Sequence, residues 1–562
     1  MSLASLRKKL AKPVPSWQLC LLGIIGGALA SLFIIIFRLS IESIQLLYLD
    51  NIDDFTTLSE IERLITPIVA VSLILLLAWA IKFKYYRMGI PFVIHRLKVA
   101  YGHIPMRNTI TQFFGSIFAL AGGFSVGREG PAVHIGAASS SFLGARLKLP
   151  KNAIKTMCAC GVAAGISASF NTPLAAVMFV MEVILREYKM HIFVPVILAS
   201  IIGSIMTNAV FGSYHDVDFF PYIAIDFWHY PLLILFGIAL GFLGTMFNQC
   251  LMATIKASRH HHMYKRLILA ALVMGLIGYL VPQSMGAGLT GVGLLVNQNP
   301  HISLIFSLLV AKFFATALVL GLGIPGGVIG PTLTIGAIAG AIMGYFVGFI
   351  YQDIHFMGDY ALLGMSGMLA ATLNAPLAAL LTVIELSNQL ELALPAMVVI
   401  TTAFLTSSQF LKNRSIFLQQ LRYQELPYKL SHVESSLQKY GVLGSMDTNI
   451  KIIHSDDDQE ISTFFDRHHM DNHIISCHSN GDLSLWEIDF NAQLRAENEP
   501  GLMQFKMQGL SSQETLSEAF NILSDKRLGA VYIYDTEDSN QQQVIGILPF
   551  QKIRQQLTKG YK

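Results

Sequence analysis

The feature that most constrains this chain is a long-range duplication inside an apolar sequence. "GREGPAVHIGA" begins at Gly127, and "GVIGPTLTIGA" begins at Gly327, 200 positions later. A second pair, "FNTPLAAVMFVMEV" from Phe170 and "LNAPLAALLTVIEL" from Leu373, lies 203 positions apart. Two matches at nearly one offset make a duplicated unit of about 200 residues, far longer than a solenoid repeat. Around them, apolar segments recur near 17–37, 64–82, 110–126, 131–147, 154–185, 191–210, 230–255, 266–282, 303–322, 331–351, 360–388 and 394–411. Several exceed the roughly 20 residues that a perpendicular bilayer crossing needs. Others are short or interrupted by Gly and Pro, as in half-spanning helices that end inside a membrane.

Composition agrees. Apolar residues make up 53% and charged residues 13% of the 562-residue chain, whereas soluble domains carry roughly 25% charged residues. Mean hydropathy is +0.53. These values exclude ordinary soluble enzymes, disordered scaffolds and secreted disulfide frameworks. The net charge of +3 forms no nucleic-acid surface. The five cysteines are far apart, except Cys158 and Cys160, which two-residue spacing places on different helix faces. Neither a disulfide nor a metal site is expected, and His260–His262 read as a solvated basic loop. No nucleophile–base pair or P-loop is present, so no enzyme is expected.

Near residue 420 the apolar runs give way to "SDDDQE", "DRHH" and "DTEDSNQQQ". The expected organisation is an N-terminus (1–16), a membrane domain (17–420, halves about 17–215 and 230–420) and a soluble tail (425–562). Lys/Arg clusters at residues 7–12 and in loops at 82–98 and 256–266 place those segments, and both termini, in the cytoplasm. The tail reads as two small βαβ-type copies, the first degenerate: "ISTFFDRHH", "HIISC" and "LSLWEI", then "SSQETLSEAFNILSDKRLGAVYIYDTED" and "QVIGILPFQKIRQQL".

Each repeat places a Gly-rich break before a Pro and an apolar helix, at 122–131 and 321–331. Glycine lets a backbone approach closely, and Pro suits a first helical turn. Two helices starting in mid-membrane would aim unpaired N–H groups and positive dipole ends at one place, an anion site without a full positive charge. Glu129 lies inside the first break. A carboxylate in the bilayer core costs roughly 2.5–3.5 kcal/mol on insertion scales, which marks it as functional. It could itself fill the anion position until protonation released it.

"GREGP" (Gly127–Pro131), "GIPGGVIGP" (Gly323–Pro331) and "FNTPLAAVMFVMEV" together resemble the CLC family of chloride channels and chloride/proton exchangers. The resemblance covers the membrane part. It implies an all-α polytopic bundle of two inverted repeats, a homodimer in the lipid bilayer, chloride and protons as transported species, no cofactor, and a cell inner (plasma) membrane location. Glu129 matches the family's gating glutamate. Gly102, His103, Arg128, Gly130, Val328, Ile329 and Phe417 match positions along its anion path. The motif argues against the fluoride-exporting branch. The tail is similar to a CBS domain pair, which can hold adenine nucleotide or serve dimerisation alone.

Three departures bear on mechanism. The family's Gly-Ser-Gly-Ile-Pro stretch is "YGHIP" here, placing Gly102 where a coordinating serine is expected. The pore tyrosine aligns with Phe417. The internal proton-relay glutamate is Val183. The expectation is therefore chloride transport that is channel-like or weakly proton-coupled. Alternatives are a chloride/proton antiporter with a water-mediated internal path and, further off, an ion-driven organic-anion transporter. Glu182 and Glu385, at equivalent repeat positions, are expected to cap or pair near helix ends.

Overall fold

The computed structural model describes residues 3–559 apart from 84–88, 213–224, 289–292, 294–300, 352–355, 471, 480, 489–501, 526 and 536–542. The chain forms two compact units. One comprises Cys20–Leu143 and Lys155–Tyr428; the other comprises Met1–Leu19, Gly144–Ile154 and Lys429–Lys562.

The larger unit is helical, and among the described residues ten helices of the chain are long and apolar enough to cross a membrane. Its halves share an internal grammar. In the first, the Glu129–Arg146 helix packs on Lys151–Phe170 so closely that a methyl group on Gly136 would strike the Gly161 carbonyl. In the second, Ile329–Tyr351 packs on Phe356–Leu373, where Gly336 and Gly364 stand in the same relation. Small residues let helices approach where no hydrophobic effect drives association. The Phe356–Leu373 helix is buried along its whole length, which explains why it presents no polar face, its few polar residues, Asp359, Ser366 and Thr372, being buried too.

The expected segments 154–185 and 360–388 are each broken at an asparagine in the left-handed region, Asn171 (φ +57°) and Asn374 (φ +55°). Asn tolerates this conformation better than most residues. Pro173 and Pro376 then open new helices, Pro173–Phe179 and Pro376–Ser387, with the first continuing as a π-helical turn, Val180–Leu185. The loop expected at 82–98 is in fact largely a helix, Gly89–Val99, whose Ile90, Phe92, Val93, Ile94 and Leu97 are buried. Its basic residues hid an apolar face, and residues 84–88 of that expected loop lie outside the described set.

In the smaller unit, β1 (Ile450–His454), β2 (His473–Cys477), β3 (Leu483–Ile488) and β4 (Leu502–Lys506) form one sheet in that order. β1 and β2 are parallel, joined by the Asp458–His468 helix, and β3 returns antiparallel. β5 (Gln508–Ser511), the Leu516–Leu523 helix, β6 (Ala530–Asp535) and β7 (Gln543–Pro549) repeat this parallel-then-antiparallel order. Thr515 and Glu518 form a capping box at the Leu516 helix. Within this unit Gly441 N–H donates to Ala11 O (2.8 Å), and Lys151 pairs with Glu514 (2.5 Å).

Candidate anion pathway and its gate

The two helix starts meet. The first-half chain leaves Met106–Ala121 through Gly122 and Gly123 (φ +74°) to reach Glu129; the second leaves Ile302–Leu322 through Gly323 (φ +102°) to reach Ile329. Between them Gly127 and Gly327 exchange both backbone hydrogen bonds, N–H to O distances of 2.7 and 2.6 Å, as an isolated antiparallel bridge. Ser125 and Thr316 hydroxyls, 2.7 Å apart, tie the same segments just before the bridge.

Glycine is required along this seam because Glu129 fills it. A methyl group on Gly127 would collide with the Glu129 carboxylate. On Gly327 it would lie 2.5 Å from Glu129 Oε2 and 2.6 Å from the Gly130 nitrogen; on Gly330, 2.7 Å from Glu129 Oε1. Glu129 is 2% exposed. Its carboxylate thus rests where the first-turn N–H groups of two helices, which have no intrahelical acceptors, concentrate positive potential.

A cavity of about 820 Å³ opens beside the seam, lined there by Gly130, Gly326, Gly327, Val328, Gln112 and Phe417. Phe417, near the start of the Ile416–Tyr423 helix, is buried and packs edge-on against Phe179 at 6.5 Å between ring centres. Of the residues matched from sequence, Glu129, Gly130, Val328 and Phe417 therefore converge, and Ile329 opens its helix buried beside them.

Three do not join them. Gly102 N–H donates to Arg96 O (3.0 Å) and His103 N–H to Ala100 O (2.9 Å), so both amides close the end of the Gly89–Val99 helix. His103 is exposed, and its carbonyl accepts from Arg96 Nε. A Cβ on Gly102 would sit 2.6 Å from Cys158 Cβ and 2.8 Å from its Sγ, which accounts for glycine where serine was expected. Arg128 turns its guanidinium over the Phe170 ring, 4.7 Å from the centroid. Val183 is buried in the π-helical turn among apolar neighbours.

The repeat glutamates cap helix starts, as their equivalent positions led us to expect, and they do so across the halves. Glu182 accepts from Leu377 and Ala378 N–H (3.4 and 2.8 Å), and Glu385 accepts from Leu174 and Ala175 N–H (2.8 and 2.7 Å). Each half's glutamate caps the helix of the other half, supplying the acceptors and the negative charge that a helix start favours. Sequence reading missed Lys312, fully buried and donating to Ser284 O (3.0 Å) and Gly286 O (2.7 Å). It stands 200 positions after Gln112. Beside it Asp53 accepts from Ala287 and Gly288 N–H, each at 3.1 Å. Desolvation pushes the Asp53 carboxyl above the ordinary range, against the pull of those amides, Lys312 and Arg128. The shared motif signalled the caps but not that they cross between halves; Lys312 carried no signal beyond its offset.

Residues 68–408, well over half of the chain, match the family described as voltage gated chloride channel. The chain belongs to this family. An H(+)/Cl(-) exchange transporter ClcA from Vibrio campbellii is 30% identical to this CLC chain over 336 residues, covering 56% of this chain and 71% of its own. A voltage-gated ClC-type chloride channel ClcB from Escherichia coli is 27% identical over 418 residues, covering 71% and 97% respectively. Among solved structures, a slow cyanobacterial Cl-/H+ antiporter superposes with a TM-score of 0.65 at 20% identity, over 72% of this chain and 98% of its own. A eukaryotic CLC transporter superposes with a TM-score of 0.63 at 18% identity over 98% of this chain and 99% of its own, tail included. At these identities the structures establish the fold: a helical CLC membrane unit accompanied by a small α/β unit.

Proposed function

We propose that this CLC protein carries chloride across a membrane, with Glu129 as the gate. The observation that carries the reading is the Glu129 carboxylate lodged over Gly127, Gly327 and Gly330 between two helix starts. Ionised, it occupies the anion position. Protonation removes its attraction for the positive helix ends, and chloride takes its place. Gly130, Val328 and Ile329 amides hold the anion, and Phe417 closes the pathway with an apolar ring. No side-chain hydroxyl assists, since Gly102 has none and Phe417 is not tyrosine. A hydrogen bond to a charged group is worth roughly 1.5–3 kcal/mol, so central binding is weak and rests on backbone.

Weak proton coupling accompanies the flux. Val183 cannot titrate, so protons reach Glu129 from the cytoplasm only through water. The relatives named as exchangers favour a fully coupled antiporter as the second reading. The basic segments at residues 7–12 and 256–266 put both termini and the tail in the cytoplasm, in an inner (plasma) membrane. Two copies form the working unit, and the tail acts as a CBS-like pair serving dimerisation, with adenine nucleotide as its alternative ligand.

Reconstituted vesicles read with chloride and pH electrodes together test both parts. Chloride gradients are expected to drive little net proton movement, and Glu129→Gln is expected to make flux indifferent to external pH. A fixed chloride-to-proton ratio would reject weak coupling. Flux through Glu129→Gln that kept its pH dependence would reject the gate.

A further inference from the structure

Among the described residues Lys312 is the one fully buried lysine, and neither the anion amides nor the capping glutamates account for it. Its ammonium donates to the Ser284 and Gly286 carbonyls, on the same short segment whose Ala287 and Gly288 amides donate to Asp53. A Cβ on Gly288 (φ +87°) would stand 2.7 Å from Lys312 Nζ, and one on Gly286 (φ +64°) would strike the Asp53 carboxylate. Two opposite charges thus close on one glycine-rich turn. That turn also grips both helix starts. Gly286 N–H donates to Gly123 O (3.0 Å), inside the first break. The Thr334 hydroxyl, on the Ile329–Tyr351 helix, reaches Ala287 O (3.0 Å) and Gly330 O (3.2 Å). Gly330 is the residue on which a Cβ would lie 2.7 Å from Glu129 Oε1. Contacts therefore run from Lys312 through Gly288, Thr334 and Gly330 to the gate carboxylate.

A buried ammonium favours the ionised form of a carboxylate near it, and a second carboxylate opposes this. At an effective dielectric constant of about 20, unit charges roughly 10 Å apart move a titration by about one pH unit. Other charges on the packed elements stand elsewhere. Lys256, Lys265 and Arg266, from the Tyr230–Ser258 and Met263–Leu280 helices, flank the Gly321–Gly323 end of the Ile302–Leu322 helix. That end lies nine or more residues, at least about 13 Å, beyond Lys312. His301, Tyr279 and Tyr345 are exposed. Beside Asp53, Asp54 caps the Phe55–Thr57 turn and Glu62 closes a capping box with Ser59. Arg63 donates to Thr56 O and Tyr48 to Ala121 O. Arg128, next to the gate in sequence, also bears on Asp53. The first half has uncharged Gln112 at the lysine's repeat position, so nothing balances this charge from the other side.

We propose that Asp53 and Lys312 are positioning residues for the gate, a pair of opposed charges that sets the pH at which Glu129 leaves the anion position. Lys312 holds the Glu129 carboxylate ionised and in place; Asp53 offsets that hold, so that release needs less acid. Neither residue touches the permeating ion. The inference rests on Glu129 being the gate and adds two residues to that site.

Chloride flux from vesicles holding the full-length protein, followed against external pH, tests it in Asp53→Asn, Lys312→Gln and the double variant. Asn can still accept from the 287–288 amides, and Gln can still donate to the 284–286 carbonyls, so both replacements chiefly remove charge. Asp53→Asn uncovers the ammonium, and the midpoint of the flux–pH curve is expected to move about half a unit or more to acid. Lys312→Gln uncovers the carboxylate and is expected to move it as far to alkaline pH. The double variant returns close to the parental midpoint, which a structural role would not produce. Each single variant decides by its sign, so if one misfolds, seen as flux lost even where Glu129 is protonated, the other still decides. Shifts of one sign in both, or no shift, overturn the proposal. In a Glu129→Gln background none of the three is expected to change a flat pH profile. One that did would show the pair titrating on its own account and would overturn it as well. These failures leave the gate standing, whereas Glu129→Gln with the parental pH dependence removes the gate and this inference together.

Discussion

The two halves of the membrane unit present the same helix start to one another, and only one of them is armed. Gly127 and Gly327 are bridged as equals; two residues on, the first half has Glu129 and the second has Ile329. The same inequality appears at Gln112 and Lys312. The glutamine lines the cavity, whereas the lysine is drawn into carbonyl oxygens of the 284–286 segment. By contrast, the glutamates that cap across the halves, Glu182 and Glu385, are retained in both. Duplication therefore supplies a symmetric frame, and residues that hold the frame stay paired. The residues at the seam itself differ, because it has room for one carboxylate.

The largest effect is expected from making the halves equal. Ile329→Glu places a second carboxylate across the seam from Glu129. Two carboxylates sharing one site cannot both ionise easily, so one is held protonated to higher pH. Flux near neutral pH should fall at least about tenfold, with its recovery on acidification starting at a higher pH than in the parent. A variant with parental flux and pH profile would mean that the two starts do not share a field.

A smaller effect comes from forcing the bridge apart. Gly327→Ala puts a methyl group 2.5 Å from Glu129 Oε2 and 2.6 Å from the Gly130 nitrogen. Overpacking of this kind typically costs about 1–3 kcal/mol. Melting in detergent should drop accordingly, and flux should lose part of its pH dependence as the carboxylate is displaced. Unchanged melting and gating would show the seam to be looser than its geometry.

The smallest effect tests the symmetric part. Glu182→Gln and Glu385→Gln each weaken a charged cap, at about 1 kcal/mol apiece, and the two losses should be equal in a thermal melt. A marked inequality would mean that one glutamate also serves the ion pathway.

Much of this was legible along the chain. The two offsets located both helix starts, whereas the breaks at Asn171 and Asn374, each ahead of a proline, fell inside segments read as continuous. Glu129 stood out because a lone carboxylate in an apolar run is costly. Other residues were opaque for identifiable reasons. Gly102 and His103 matched a binding motif, yet their amides close a helix end, and Cys158 leaves no space for a side chain at 102. Arg128 adjoins Glu129 in sequence but stands just outside its helix, with its guanidinium over Phe170. Arg266 and the histidines read as an ordinary basic turn until the cavity reached them.

What the sequence determined by itself is local and periodic: where apolar runs begin and stop, which glycines and prolines interrupt them, and which segment is a copy of another. Those follow from backbone stereochemistry and from the cost of polar groups in lipid, both written residue by residue. Only the tertiary structure decided which interruptions face each other, which amides stay open and which charges share a cavity. Such contacts join residues about 200 positions apart, as at Gly127 and Gly327, and no neighbourhood along the chain encodes them.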